Sequence, residues 1–143
     1  MIMSKRRELY LLDERRADLC NYRMKNSEDS LTVAEDCLEK GLYRDAINRS
    51  YYAAFYAIKA LLALEEVDFK KHKDVVAYFN RTYAATEKIP REIGRKLARL
   101  QQKREKSDYD DFYIASKEET MEQIENTKSV ILAVKDYLSR MEN

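Results

Sequence analysis

Two glycines and one proline among 143 residues leave too few chain-turning positions for a protein built of many short strands. That scarcity points to an all-α fold. It also excludes a Gly-rich loop whose backbone N–H groups would cradle a phosphate. One histidine, His72, and two cysteines fall short of a zinc set, and no Glu-x-x-His pair seeds a carboxylate-bridged site. No metal and no cofactor are therefore expected. Cys20 and Cys37 fall on one expected helix, too far apart to bond each other, and read as thiols beside apolar stripes in a reducing compartment. The opening MIMSKRRELY has no apolar core of a signal peptide, and the longest apolar run is broken by Lys59 and by tyrosines. The expectation is a cytoplasmic protein with no membrane partner. A net charge of +1 supplies no overall field toward nucleic acid, so any electrostatic footprint must be local.

Apolar residues (45%) and charged residues (37%) are abundant instead, and they alternate with helical period. The stretch Leu42 to Leu64 is apolar on two adjacent stripes. Ile47, Ala54, Ala57, Leu61 and Leu64 form one, and Tyr51, Phe55, Ile58 and Leu62 form the next. A helix apolar over so much of its circumference must be wrapped by others, and its alanines allow close approach. Before it, Glu14 to Lys40 carries a seam at Ala17, Cys20, Met24, Ser27, Leu31, Ala34 and Leu38, with Asn26 to Ser30 polar enough to kink it. Residues 1–13 read as a short helix or arm anchored by Leu9 and Leu12. Gly41 suits a left-handed helix end, which makes the two long helices antiparallel neighbours.

A shorter helix is expected from His72 to Tyr83, with His72, Val76, Phe79 and Tyr83 on one face. Pro90 suits the first turn of the next helix, whose inward stripe is Ile93, Leu97, Leu100 and then Arg104. Ser107 to Ala115 reads as a bend. Ser116 and Glu119 have capping-box spacing and open a last helix on Ile124, Thr127, Ile131, Val134, Leu138 and Met141. The expected architecture is one domain over residues 1–143, an antiparallel up-and-down four-helix bundle with an additional short helix.

Three polar groups stand out against this pattern: Asn48, Arg49, Tyr51 and Tyr52 on the central helix, Lys71 to Lys73 at the next helix start, and Arg104 to Tyr109. Arg104 and Asp108 are four residues apart, so a continuing helix would pair them and orient a guanidinium suited to phosphate. An arginine there could equally tie helix ends together by ion pairs and do nothing more. His72 could cap a backbone N–H or pack under Phe79 rather than act chemically. Between Arg91 and Lys106, seven cationic side chains face only Glu92 and Glu105. Such a face could follow a phosphate backbone, or be a solvated surface balanced by the acidic stretch behind it.

The strings YRDAINRSYYAAFYAIKALL, KHKDVV and RLQQKREKSDYDDFY together resemble the small stand-alone prokaryotic HEPN-domain proteins, from about Ala17 to Tyr137. The resemblance implies a helical bundle, commonly a homodimer, often encoded beside a minimal nucleotidyltransferase in toxin–antitoxin-like pairs. Many such proteins are metal-independent ribonucleases using an Arg and a His near the end of the fourth helix. Arg104 matches that Arg, and Tyr109 stands where the His would be. A phenol with its pKa near 10 is a poor general base at neutral pH. In some relatives the partner enzyme modifies a tyrosine close to that Arg with nucleotide, and the resemblance makes Tyr109 or Tyr113 a candidate for that role, although their spacing differs from the motif. The first expectation is a non-catalytic or degenerate member whose cleft of Arg49, Tyr52, His72, Arg104, Asp108 and Tyr109 binds nucleotide, RNA or a nucleotidyltransferase. The alternatives are a ribonuclease toxin, with Arg104 and Tyr109 or His72 as catalytic groups, and a purely structural interaction protein.

Overall fold

A computed structural model describes residues 4–141, the side chain of Tyr10 apart, and Met1 to Met3 of the expected arm lie outside them. Four long helices, α1 (Lys5–Glu39), α2 (Tyr43–Ala63), α4 (Arg91–Tyr109) and α5 (Lys117–Met141), and one short helix, α3 (His72–Phe79), make an antiparallel up-and-down bundle. No strand occurs among the described residues. α2 packs against each of the other helices. Its Tyr51, Ala53, Ala54, Ala57, Ile58, Ala60 and Leu62 have no exposed surface, as two adjacent apolar stripes require. No helix among the described residues is long and apolar enough to cross a membrane.

The α1–α2 turn is the sharpest feature legible in the chain. Gly41 takes φ +75°, its N–H donates to the Leu38 carbonyl (3.1 Å), and the Leu42 N–H donates to the Cys37 carbonyl (2.8 Å). These are the paired bonds of a Schellman end, and they send α2 straight back along α1. α1 runs unbroken through Asn26 to Ser30, so that stretch does not interrupt the helix. Ser27 is buried there and donates to the Ala53 carbonyl at 2.5 Å, tying α1 to the centre of α2. Thr127 of α5 does the same to the Ser50 carbonyl at 2.7 Å.

Several expectations are corrected. The separate arm is the first part of α1, and Leu9 is 54% exposed rather than an anchor. The cause is length: 35 residues span about 52 Å, whereas the 21 of α2 span about 32 Å, so α1 overhangs the bundle. Ala17 is exposed for the same reason. The expected helix to Tyr83 changes its winding at Asn80–Ala84, a π turn in which the Ala85 N–H reaches back to the Asn80 carbonyl (2.7 Å). Against this turn lies Gly94 of α4, where a Cβ would stand 2.7 Å from Asn80 Oδ1 and 3.1 Å from the Ala84 Cβ. Glycine permits that approach. The bend expected from Ser107 begins later, because α4 continues to Tyr109. Ser116 Oγ accepts the Glu119 N–H (3.0 Å), while the Glu119 carboxylate bonds the Tyr113 hydroxyl.

Candidate functional site

The first half of α2, the start of α3 and the end of α4 converge on one cluster. Positions 44, 48, 51, 52 and 55 recur at helical spacing, so Arg44, Asn48, Tyr51, Tyr52 and Phe55 share one side of α2. On α4 the inward stripe runs from Leu97 and Leu100, both buried, to Arg104. Helical geometry thereby carries a guanidinium to where the core ends, and the Arg104 side chain keeps only 17% exposure.

Arg104 is held by defined groups. Its Nε donates to Asp108 Oδ2 (3.2 Å) and its Nη2 to the Tyr52 hydroxyl (3.3 Å). Its Cζ lies 5.0 Å from the centre of the Tyr51 ring and 5.4 Å from that of Tyr52, within cation–π range. Asp108 also accepts from Asn48 Nδ2 at 3.2 Å. Asn48 Oδ1 in turn accepts from Arg49 Nε and Nη2 (3.1 and 2.9 Å), and the Arg49 Cζ lies 4.8 Å from the Tyr52 ring centre. The cluster closes on itself: two arginines share Tyr52 at one end and the Asn48–Asp108 bridge at the other. Among the hydrogen bonds of the described residues none uses Arg104 Nη1. A planar fork so oriented, with one nitrogen uncommitted, presents directed donors to an anion.

His72 joins the cluster from α3. Its Nδ1 is 3.2 Å from the Tyr51 hydroxyl, and its ring stacks on Phe55 at 4.1 Å between centroids. It neither caps α3 nor packs under Phe79, the two structural roles open to it in the sequence. Burial pushes the Tyr51 phenol up to about 12, against the opposing charge of Arg104. Burial, then the charges of Arg104 and Lys59, hold the His72 imidazole below its ordinary value. Both groups are thus neutral at pH 7. The Tyr51 hydroxyl and His72 Nδ1 share one hydrogen bond, in which the phenol or the ring donates according to the imidazole tautomer.

Tyr109 stands apart from this network. It is 75% exposed and makes no hydrogen bond or ring stack with the described residues. It borders an open, shallow patch with Arg104, Gln102, Glu105, Lys106 and Asp110 at the end of α4. The structure therefore brings Arg49, Tyr52, His72, Arg104 and Asp108 together, with Tyr109 on the rim beyond them. Arg44 escaped the sequence reading. Its guanidinium donates to the Ser107 carbonyl (Nε, 2.8 Å) and the Asp110 carbonyl (Nη2, 3.1 Å), tying the C-terminal end of α4 to α2. Its four-residue spacing from Asn48 was the available signal.

The chain matches the HEPN-domain family model over residues 20–137. The chain belongs to the HEPN-domain family. The matched span runs from the seam of α1 to Tyr137 of α5 and so includes every residue of the cluster. A UPF0332 protein of Thermotoga maritima is 28% identical over 120 residues, 84% of this chain and 91% of that protein. Two Methanocaldococcus jannaschii proteins carry the description "Putative toxin". One is 36% identical over 58% of this chain and 62% of its own, the other 31% identical over 67% and 65%.

Proposed function

We propose that this HEPN protein binds the phosphate of a nucleotide or RNA at Arg104, and that it is the non-catalytic half of a toxin–antitoxin-like pair with a minimal nucleotidyltransferase. The observation that carries the reading is the Arg104 guanidinium, fixed by Asp108 and Tyr52 beside two tyrosine rings, with no hydrogen bond at Nη1 among the described residues. Such a group loses little freedom on meeting a phosphate, and partial burial strengthens the attraction. The neighbours of Arg104 support the non-catalytic part of this reading. Tyr109 carries a phenol on the rim, bonded to nothing that would draw off its proton, and Tyr51 already occupies His72 Nδ1. The relatives described as toxins support the toxin–antitoxin association. The protein acts as a homodimer in this reading, which the 93% exposed Phe112 and 86% exposed Ile114 on the turn after α4 support.

One observation favours a second reading, a metal-independent ribonuclease. His72, neutral at pH 7, belongs to the same aromatic cage as Arg104, and in the tautomer protonated at Nδ1 its Nε2 can take a proton from a ribose 2′-hydroxyl as general base. Incubating the protein with single-stranded RNA in EDTA separates the two. Binding without cleavage, lost in Arg104→Ala, is the result expected. Cleavage abolished by both Arg104→Ala and His72→Ala establishes the ribonuclease instead, and RNA binding unaffected by Arg104→Ala refutes both. Co-purification with a co-expressed minimal nucleotidyltransferase, absent for the unpaired enzyme, tests the partnership.

A further inference from the structure

The last turn of α4 is placed against its own electrostatics. Asp108, Asp110 and Asp111 stand at or just beyond the helix end, where the backbone carbonyls already concentrate negative charge, and Lys106 is the one basic residue of that turn. A turn so composed tends to unwind. Yet Asp108 must stay helical, because only there does its carboxylate reach Arg104 Nε (3.2 Å), four residues back, together with Asn48 Nδ2 (3.2 Å) on α2.

A cation from another helix counters them. Arg44 lies one turn before Asn48 on α2, and its guanidinium straddles two backbone carbonyls: Nε and Nη2 both donate to that of Ser107, and Nη2 also to that of Asp110 (3.1 Å). The Ser107 carbonyl receives no backbone N–H among the described residues, and Ser107 is 2% exposed, so its oxygen has Arg44 in place of water. Asp108 is held between the two residues that Arg44 grips. α2 therefore seizes the turn twice, by its backbone through Arg44 and by the Asp108 side chain through Asn48.

We propose that Arg44 is a positioning residue for Arg104. It keeps α4 wound to Tyr109, the winding keeps Asp108 on the inner face, and Asp108 fixes the guanidinium. No hydrogen bond joins Arg44 to Arg104 among the described residues, so the effect passes through the backbone of the last turn and Asp108. The consequence for a ligand rests on the phosphate-binding reading above: a guanidinium released from Asp108 must be ordered again when an anion binds, which weakens the binding.

The test is heteronuclear NMR of the full chain, with the Arg104 Nε–H signal assigned by its loss in Arg104→Lys. Held against Asp108, that proton should be dispersed and slow to exchange. Arg44→Ala should collapse the signal to the position of a solvated arginine, as Asp108→Ala does. It should also speed amide exchange at Asp108 to Asp110 about tenfold, the low end for a bond to a charged group, while Leu97 to Gln101 stay unchanged. Arg44→Lys, which can still cap one carbonyl, should restore part of the signal. Lys106→Gln removes an equal charge from the same turn and should leave the signal in place. Inorganic phosphate should bind Arg44→Ala about threefold more weakly than the parent, the low end of what immobilising one side chain costs. An Arg104 signal that persists in Arg44→Ala overturns the proposal even if the amides exchange faster, since Arg44 is then a helix-end tie alone. A signal lost equally in Lys106→Gln overturns it too, because charge rather than the grip on the carbonyls is then the cause. If the parent protein binds no phosphate, the function reading fails while the Nε–H signal still decides the role of Arg44. Arg44 is exposed, so its variants should fold, and the unchanged amides of Leu97 to Gln101 certify that they do.

Discussion

Replacing Arg104 with alanine tests whether the guanidinium is held or merely nearby. The substitution removes the bonds to Asp108 and Tyr52 and the stacking over two tyrosine rings, while the buried aliphatic stem leaves a gap beside α2. A hydrogen bond to a charged partner contributes about 1.5–3 kcal/mol when desolvated. The two side chains are 17% and 27% exposed, so screening reduces the Asp108 contribution to about 1 kcal/mol. Cation–π contact at a partly exposed site adds about 1 kcal/mol. Arg104→Ala should therefore destabilise the fold by about 2 kcal/mol, which for a chain of this length lowers the melting temperature by about 4–8 °C. A double-mutant cycle with Asp108→Ala should return a coupling of about 0.5–1 kcal/mol. A second readout is independent of global stability. The charge of Arg104 contributes to holding the His72 imidazole below its ordinary value, so its removal should raise the His72 pKa, seen without ambiguity in the NMR titration of the sole histidine. A melting temperature unchanged in Arg104→Ala, together with an unmoved His72 titration, would refute the description of the cluster as one network.

The same histidine makes stability depend on pH. Its folded pKa lies below the ordinary value near 6.5, so the unfolded chain binds the proton more readily and stability falls as pH drops beneath about 6.5. The depressed carboxyls of Asp68 and Glu119 add their loss only below about pH 4. Urea midpoints should therefore decline between about pH 7 and 5, and His72→Phe, which preserves the stack on Phe55, should flatten that decline; an equal slope in both proteins would contradict it. Gly41→Ala should cost about 1 kcal/mol in chemical denaturation, since φ is +75° and no atom lies within 4 Å of the added methyl, so the whole effect is conformational. Light scattering should give twice the 17.0 kDa of one chain, and a monomer at every concentration would end the homodimer reading.

Much of the site could be read in advance from residues that are neighbours along a helix. Arg104 and Asp108 share a face four residues apart, and their pairing needed only that α4 continue to Tyr109, as it does. Asn48, Arg49 and Tyr52 were conspicuous because polar groups interrupt an apolar surface. The partners of His72 were not legible. Tyr51 lies 21 positions away, and the two meet because the connection after α2 folds α3 back beside it. Sequence distance also concealed Arg44, whose acceptors are backbone carbonyls more than 60 positions on and carry no side-chain signature. The π turn at Asn80–Ala84 was hidden for a different reason. Its extra residue leaves the positions of Phe79 and Tyr83 compatible with an ordinary helical face, and only the close passage of Gly94 marks it.

By itself the sequence determined the long helices, the central part of their inward faces, the turn at Gly41 and the all-α bundle, because periodicity and backbone conformation are local and bear directly on burial, while Ala17 and Met141 at the helix ends are exposed. Tertiary structure alone decided that Leu9 overhangs rather than anchors. It also placed His72 against Tyr51 and Phe55, enclosed Arg104 in a closed polar cluster, and left Tyr109 on the outer rim. Those outcomes depend on the lengths of neighbouring helices and on where their ends coincide in space, which no single helix encodes.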